Sequence, residues 1–147
     1  MLQITKRIEI ENAVLDATLS LPFDQRQKSR LRVKLDNGED AGVMLPRGTS
    51  LREGDVLQAD SGLLIGVFAA QEEVSTVRCD NALLFAKACY HLGNRHVPLQ
   101  IGQGWLRYGR DYVLDEMLEH FGLSVKHELA PFEPESGAYH NHGHSHS

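Results

Sequence analysis

Asp80-Asn81-Ala82-Leu83-Leu84-Phe85-Ala86-Lys87-Ala88-Cys89-Tyr90-His91-Leu92-Gly93-Asn94 is the stretch in which the chain changes its hydrophobic period. Upstream, apolar residues mostly alternate with polar ones. Here Ala82, Phe85, Ala86, Cys89 and Leu92 recur at helical intervals on one face. Asp80 reads as the cap of a helix beginning at Asn81, and Gly93-Asn94 as its end, because both residues tolerate left-handed backbone. Strand-like runs flank the helix at 73–78, with Val74 and Val77, and at 97–101. A turn-rich stretch around Trp105 leads to a second cap, Asp111. Leu114, Met117, Leu118 and Phe121 then fall at i, i+3, i+4 and i+7, with Gly122 directly after them. A last strand is predicted at 123–129. Strand, helix, strands, helix, strand is the order of a ferredoxin-like βαββαβ domain, assigned to residues 73–132.

Residues 1–72 read as a separate all-β domain. Leu31, Val33 and Leu35 alternate with Arg32 and Lys34, Asp36-Asn37-Gly38 supplies a turn, and Val43 and Leu45 resume the alternation, which predicts a hairpin. Further turns are expected at Pro46-Arg47-Gly48, Arg52-Glu53-Gly54-Asp55 and Asp60-Ser61-Gly62. Residues 133–147 carry Pro134, Ser136 and Gly137 and end in His140-Asn141-His142-Gly143-His144-Ser145-His146-Ser147. That segment is expected to be a disordered, His-rich tail. The class is therefore α+β, with two domains and a tail.

Composition narrows the function. With 147 residues, 41% hydrophobic and 24% charged, the chain reads as a globular protein rather than a disordered or rod-like one. The longest apolar run, at 62–70, is far below the roughly 18 residues of a membrane-spanning helix. The N-terminal residues lack the apolar core of a secretory signal, so a cytoplasmic location is expected. A net charge of -5 argues against nucleic acid as a partner, since that binding needs clustered cations. The one basic cluster, Arg26, Lys28, Arg30, Arg32 and Lys34, has the even spacing of a solvated strand face. Cys79 and Cys89 stand roughly 15 Å apart along the predicted helix, beyond disulfide reach, and read as reduced and buried.

The histidines carry the chemistry. His140, His142, His144 and His146 alternate with small or polar residues, so an extended chain presents their imidazoles on one side. Imidazole nitrogens suit nickel, copper, zinc and iron. Imidazole titrates at about pH 6.5, so such binding weakens in mild acid. A flexible tail also loses conformational entropy on ordering around an ion, which favours exchangeable over permanent metal. His91 falls in the last turn of the helix, where it reads as a helix-end residue or as a possible metal ligand or neighbour of one. His96, after the Gly-Asn turn and before Val97-Pro98, reads as a surface loop histidine. One histidine cannot saturate a transition metal, so a metal at His96 calls for a second copy of the loop, with tail imidazoles supplying the rest, and a homodimer is predicted. No HExxH, CxxC, Walker A or GxSxG motif is present, and Cys89 lies on an apolar face. The protein is not expected to be an enzyme.

The segment from Ala88 to Gln100 with its Gly93-Asn94-Arg95-His96, together with Leu45-Pro46-Arg47-Gly48, Leu51-Arg52-Glu53-Gly54-Asp55-Val56-Leu57 and the His-rich end, closely resembles the UreE family of urease accessory proteins. The likeness covers nearly the whole chain. It implies a first domain akin to the peptide-binding domains of chaperones, a ferredoxin-like metal-binding domain, and a metallochaperone that delivers Ni(II) during urease assembly. It implies a homodimer whose interface ligand is His96, with His140, His142, His144 and His146 as further ligands. The implied partners are the urease apoprotein and other accessory proteins, including the urease GTPase. Some members carry a further histidine pair in the second half of the metal-binding domain, whereas residues 105–113 here hold none. Ligand chemistry alone does not separate nickel from copper or zinc, either of which the same imidazoles would accept in vitro. Two alternatives stay open: a protein-interaction chaperone whose histidines only buffer metal, and a metal-dependent hydrolase.

Overall fold

Alternation of apolar and polar residues from Arg30 to Met44 builds the hairpin around which the first unit forms. A computed structural model describes residues 1–136, and the reading of His140, His142, His144 and His146 lies outside them. The chain divides into two compact units, residues 1–70 and residues 71–147.

The first unit holds β1 (Leu2–Ile8), β2 (Ala17–Leu21), the short helix α1 (Phe23–Arg26), β3 (Arg30–Lys34), β4 (Asp40–Met44), β5 (Val56–Ala59) and β6 (Leu64–Ala69). These form one six-stranded sheet of order β2-β6-β5-β1-β4-β3. The pairs β1/β4 and β2/β6 are parallel and the others antiparallel. Asp36 ties the β3–β4 turn to β2 at the other edge: its amide donates to the Thr18 carbonyl at 2.9 Å, and its carboxylate accepts from the Thr18 and Ser20 hydroxyls. These bonds satisfy part of an open edge that would otherwise offer unpaired backbone. Ile4, Leu19, Val33, Val43, Leu57, Ile65 and Val67 form the core. Each such fully buried aliphatic side chain contributes roughly 1.5–3 kcal/mol.

The basic cluster departs from its expected uniform exposure. Arg30, Arg32 and Lys34 are exposed on β3, but Arg26 belongs to α1 and is 1% exposed. Its Nε donates to the Leu21 carbonyl at 2.9 Å and its guanidinium lies over the Phe23 ring, so this cation is a structural member of the unit.

The second unit runs β7 (Gln71–Arg78), α2 (Ala82–Asn94), β8 (Gln100–Gly102), β9 (Trp105–Gly109), α3 (Tyr112–His120) and β10 (Val125–Pro131). Its sheet is antiparallel with order β10-β7-β9-β8. Ala88 and Leu92 of α2 and Leu114 and Leu118 of α3 pack with Val77, Leu106 and Tyr108 of the sheet. Strand alternation turns Val74 and Thr76 to the opposite face, yet both are buried. In the segment after β10, Phe132 and Pro134 are buried as well. The stretch around Trp105, read from sequence as turn-rich, is the strand β9, and only residues 103–104 turn; Gly104 has a φ of +77°. The strand predicted at 97–101 runs instead at Gln100–Gly102, clear of Pro98, which lacks a ladder donor.

The α3 caps follow the sequence reading. Asp111 accepts from the Val113 and Leu114 amides, and Gly122 adopts a φ of +87° after the last turn. At α2 the cap is Asn81 rather than Asp80; its side chain accepts from Leu84. The buried stripe is also rotated: Ala88 and Leu92 are buried and Leu84, Phe85 and Cys89 partly so, whereas Ala82 and Ala86 are exposed. Cys79 and Cys89 are free thiols, half-buried rather than fully buried, and burial raises the Cys89 thiol above its ordinary range.

Candidate metal centre

His96 sits where α2 terminates, and its position follows from how the chain leaves the helix. Gly93 and Asn94, expected to take the left-handed conformation, remain helical. Arg95 is the C-cap, and His96 itself adopts the left-handed conformation with a φ of +58°. The His96 amide donates to the Gly93 carbonyl at 2.9 Å and the Val97 amide to the Leu92 carbonyl at 3.4 Å. This pair of bonds is a Schellman motif with His96 in the place most often held by glycine. Val97 and Leu92 join the same core cluster, the apolar contact that accompanies the motif, and Pro98 prevents the helix from resuming.

Two consequences follow for the imidazole. The left-handed backbone of a residue with a Cβ costs about 1–2 kcal/mol, although histidine accepts it more readily than most residues. In return, His96 is exposed at the helix C-terminus, where the exposed carbonyls carry partial negative charge and favour a cation. His91, one turn earlier, is exposed too, but its ring packs edge-on to Tyr90 at 5.3 Å and tilted against Phe121 at 5.2 Å. Among the described residues, no group of three or more His, Cys, Asp or Glu side chains converges on one point. The described part of one chain therefore supplies His96 with an incomplete ligand shell.

A polar network that was not legible in the sequence lies between α3 and the sheet. Asp115, 6% exposed, accepts from the Ser75 hydroxyl and the Tyr108 hydroxyl at 2.7 Å each on Oδ1, while Oδ2 lies 2.7 Å from Nε2 of His127. Burial would raise this carboxyl, but hydrogen bonds from Tyr108, His127 and Ser75 outweigh it and hold the carboxyl below its ordinary value. Burial and the hydrogen bond to Asp115 push the Tyr108 phenol strongly upward. Ser75 donates to the carboxylate and not to His127, so the group contains no nucleophile–base pair of the kind acyl transfer requires. Its role is to fasten α3 to β7, β9 and β10. Asp115 could have been found only as a carboxylate facing the apolar side of a helix, a signal that the capping acids nearby conceal.

The contacts of residues 133–135 were equally unforeseen. The sequence reading ends the second domain at 132 and places 133–136 in the tail, but the Glu133 amide donates to Oε1 of Gln100 at 2.9 Å and the Glu135 amide to the Leu99 carbonyl at 2.8 Å.

Comparison with known proteins covers both units. Residues 3–70 match the family described as UreE urease accessory protein, N-terminal domain, and residues 72–147 match UreE urease accessory protein, C-terminal domain. A urease accessory protein UreE of Alkalilimnicola ehrlichii is 60% identical over 139 residues, covering 95% of this chain and 85% of its own length. UreE of Citrobacter koseri is 54% identical over 99% of this chain and 100% of its own. UreE of Escherichia coli O157:H7 is 53% identical over 100% of this chain and 96% of its own.

Proposed function

Since the chain belongs to the UreE family of urease accessory proteins, which serve urease maturation and are not catalysts, we propose that it is a nickel metallochaperone delivering Ni(II) to the urease metallocentre. Nickel is its cargo. The observation that carries this reading is His96, exposed at the negative end of α2 on a backbone conformation that its own side chain disfavours.

Two copies of His96 across a two-fold axis provide two imidazoles for one ion. Support for a homodimer comes from α2, whose outer face exposes Leu83 at 66% and Tyr90 at 67%, an apolar stripe leading toward the helix end that carries His96. His140, His142, His144 and His146 complete the shell and exchange the ion, and His91 lies beside the site without being required as a ligand. The βαββαβ order and the strand order β10-β7-β9-β8 support a ferredoxin-like metal-binding domain. The first unit, with Val14 84% exposed, is the surface offered to the urease apoprotein, and the urease GTPase is the accessory partner in nickel transfer. No helix among the described residues is long and apolar enough to cross a membrane, and the proposed place of action is the cytoplasm. Copper and zinc compete for the same imidazoles in vitro.

Native mass spectrometry across a nickel titration tests this reading on the intact chain, His96→Ala and a chain ending at Tyr139. The expected result is one tight ion per dimer that His96→Ala loses, with truncation removing the weaker ions. Unchanged uptake by His96→Ala, with all uptake lost on truncation, would leave the tail as a metal buffer and the first unit as the working part.

A further inference from the structure

We infer that the outer edge of β3 is a docking site for an extended, acidic segment of a partner protein, which adds to the first sheet as a further strand. The inference gives an edge and a partner chemistry to the partner-binding role proposed for the first unit, and rests on that role.

The exposed part of the basic cluster serves neither the core nor the nickel site. Residues 25–35 contain no acid, in a chain whose net charge is -5. Lys28, Arg30, Arg32 and Lys34 are exposed. Lys34 is taken by Asp40 at 2.9 Å. Arg32 meets the sulfur of Met1 at 3.7 Å, and among the described residues neither it nor Arg30 forms an ion pair with a carboxylate.

Register decides which backbone groups of this strand are open. β3 ends the sheet and pairs on one side only, with β4. The Leu45 amide donates to the Ser29 carbonyl and the Leu35 amide to the Glu39 carbonyl. Bonded and non-bonded pairs alternate along an antiparallel ladder, so Leu31 and Val33 also turn their amides and carbonyls to β4. The amides and carbonyls of Arg30, Arg32 and Lys34 therefore point to the unpaired edge. Their side chains share the outer face at intervals of about 6.8 Å, while Val33 turns into the core.

Space lies beside this edge. The Asp36 amide bonds to the Thr18 carbonyl of β2, and from there toward Leu21 a groove of about 410 Å³ opens, with Gln25, Arg32, Val33 and Lys34 also in its lining. An antiparallel strand laid on the edge would exchange both backbone bonds with Arg30 and with Arg32, and would set its own side chains directly across from theirs. Acidic residues at those alternate positions neutralise both guanidiniums, and apolar residues between them turn to the side of Val33. A second copy of β3 is refused, because like charges directly opposite repel. A nucleic acid would meet Asp36, Glu39 and Asp40 at the adjoining turn, and it offers no matching ladder of donors and acceptors.

The test reads backbone hydrogen exchange residue by residue in the full chain. The probes are an acetylated octapeptide of alternating Val and Glu, the same peptide N-methylated at each Glu, its Val-Lys counterpart, an octamer of uridylate RNA, and the urease apoprotein. The Val-Glu peptide is expected to slow the Arg30 and Arg32 amides by at least about 10-fold and to leave those of Leu31 and Val33 unchanged. N-methylation should weaken binding by more than about 10-fold, because it removes backbone donors at unchanged charge. Joint Arg30→Gln and Arg32→Gln should weaken it by about 3- to 10-fold, with the Leu31 and Val33 amides reporting that the sheet is intact. The Val-Lys peptide should not bind. No protection by the Val-Glu peptide, binding indifferent to N-methylation, or equal protection by the RNA would overturn the inference. The urease apoprotein separates the inference from the role on which it rests. Protection at Arg30 and Arg32 supports both, protection elsewhere in residues 1–70 overturns the edge and leaves the role, and none in residues 1–70 removes both.

Discussion

The two helices of the second unit end in the same backbone motif and fill its critical position differently. At α3, Gly122 takes the left-handed conformation, with its amide on Glu119 and the Leu123 amide on Leu118. At α2, His96 takes it, with its amide on Gly93 and the Val97 amide on Leu92. Glycine enters this conformation without a steric penalty; histidine does not. One helix end is thus built for folding. The other puts a residue with a Cβ in the strained conformation and leaves it exposed at a carbonyl-rich terminus, and the nickel role proposed for His96 gives that strain a use.

The largest expected effect comes from removing the imidazole. His96→Ala should lower affinity for the tight nickel ion by more than about 100-fold, since loss of an outer partner alone commonly costs 10–100-fold. Isothermal titration against a competing chelator would measure it. The corresponding change at Gly122 should leave nickel affinity untouched.

A second contrast concerns what lies behind each helix end. α3 is fastened by Asp115, so Asp115→Ala would strand the buried Ser75 and Tyr108 hydroxyls and should destabilise the second unit by about 2–3 kcal/mol. Trp105, the single tryptophan, reports that unit's unfolding in urea. The sign of the pH dependence follows from the lowered Asp115 carboxyl. Its contribution is present above the ordinary carboxylate range near about pH 4, and is lost as pH falls through the lower folded value. The stability difference between parent and variant should therefore shrink as pH falls below the ordinary carboxylate range.

Smaller effects isolate the backbone. A Cβ added at Gly122 meets nothing within 4 Å, so Gly122→Ala tests conformation alone and should cost about 1 kcal/mol by the same urea measurement. Asn81→Ala should cost a similar amount, about 1 kcal/mol, by freeing the Leu84 amide at the other end of α2.

Legibility in the sequence followed the range of the interactions. The α3 cap at Asp111 and the stop at Gly122 were readable because capping is local and both residue types have one dominant reason to stand there. The hairpin at Arg30–Met44 was readable for the same cause. At α2 the same rule misled: Gly93 and Asn94 are the residues a helix end prefers, but burial of Leu92 and Val97 set the stop two residues later and forced His96 into the turn. Asp115 bonds to Ser75, 40 positions away, and Glu133 to Gln100, 33 positions away, separations that no window of periodicity contains. The role given to His96 came from a motif, and the structure adds the physical oddity of its backbone.

The most direct single measurement is His96→Gly, assayed for nickel affinity and for urea stability on the same preparation. Relief of the left-handed strain, partly offset by the flexibility of glycine in the unfolded chain, should stabilise the second unit by about 0.5–1 kcal/mol while the tight nickel ion is lost. A variant that is less stable than the parent, or that still holds the ion, would contradict the view that this helix end gives up stability to present a metal ligand.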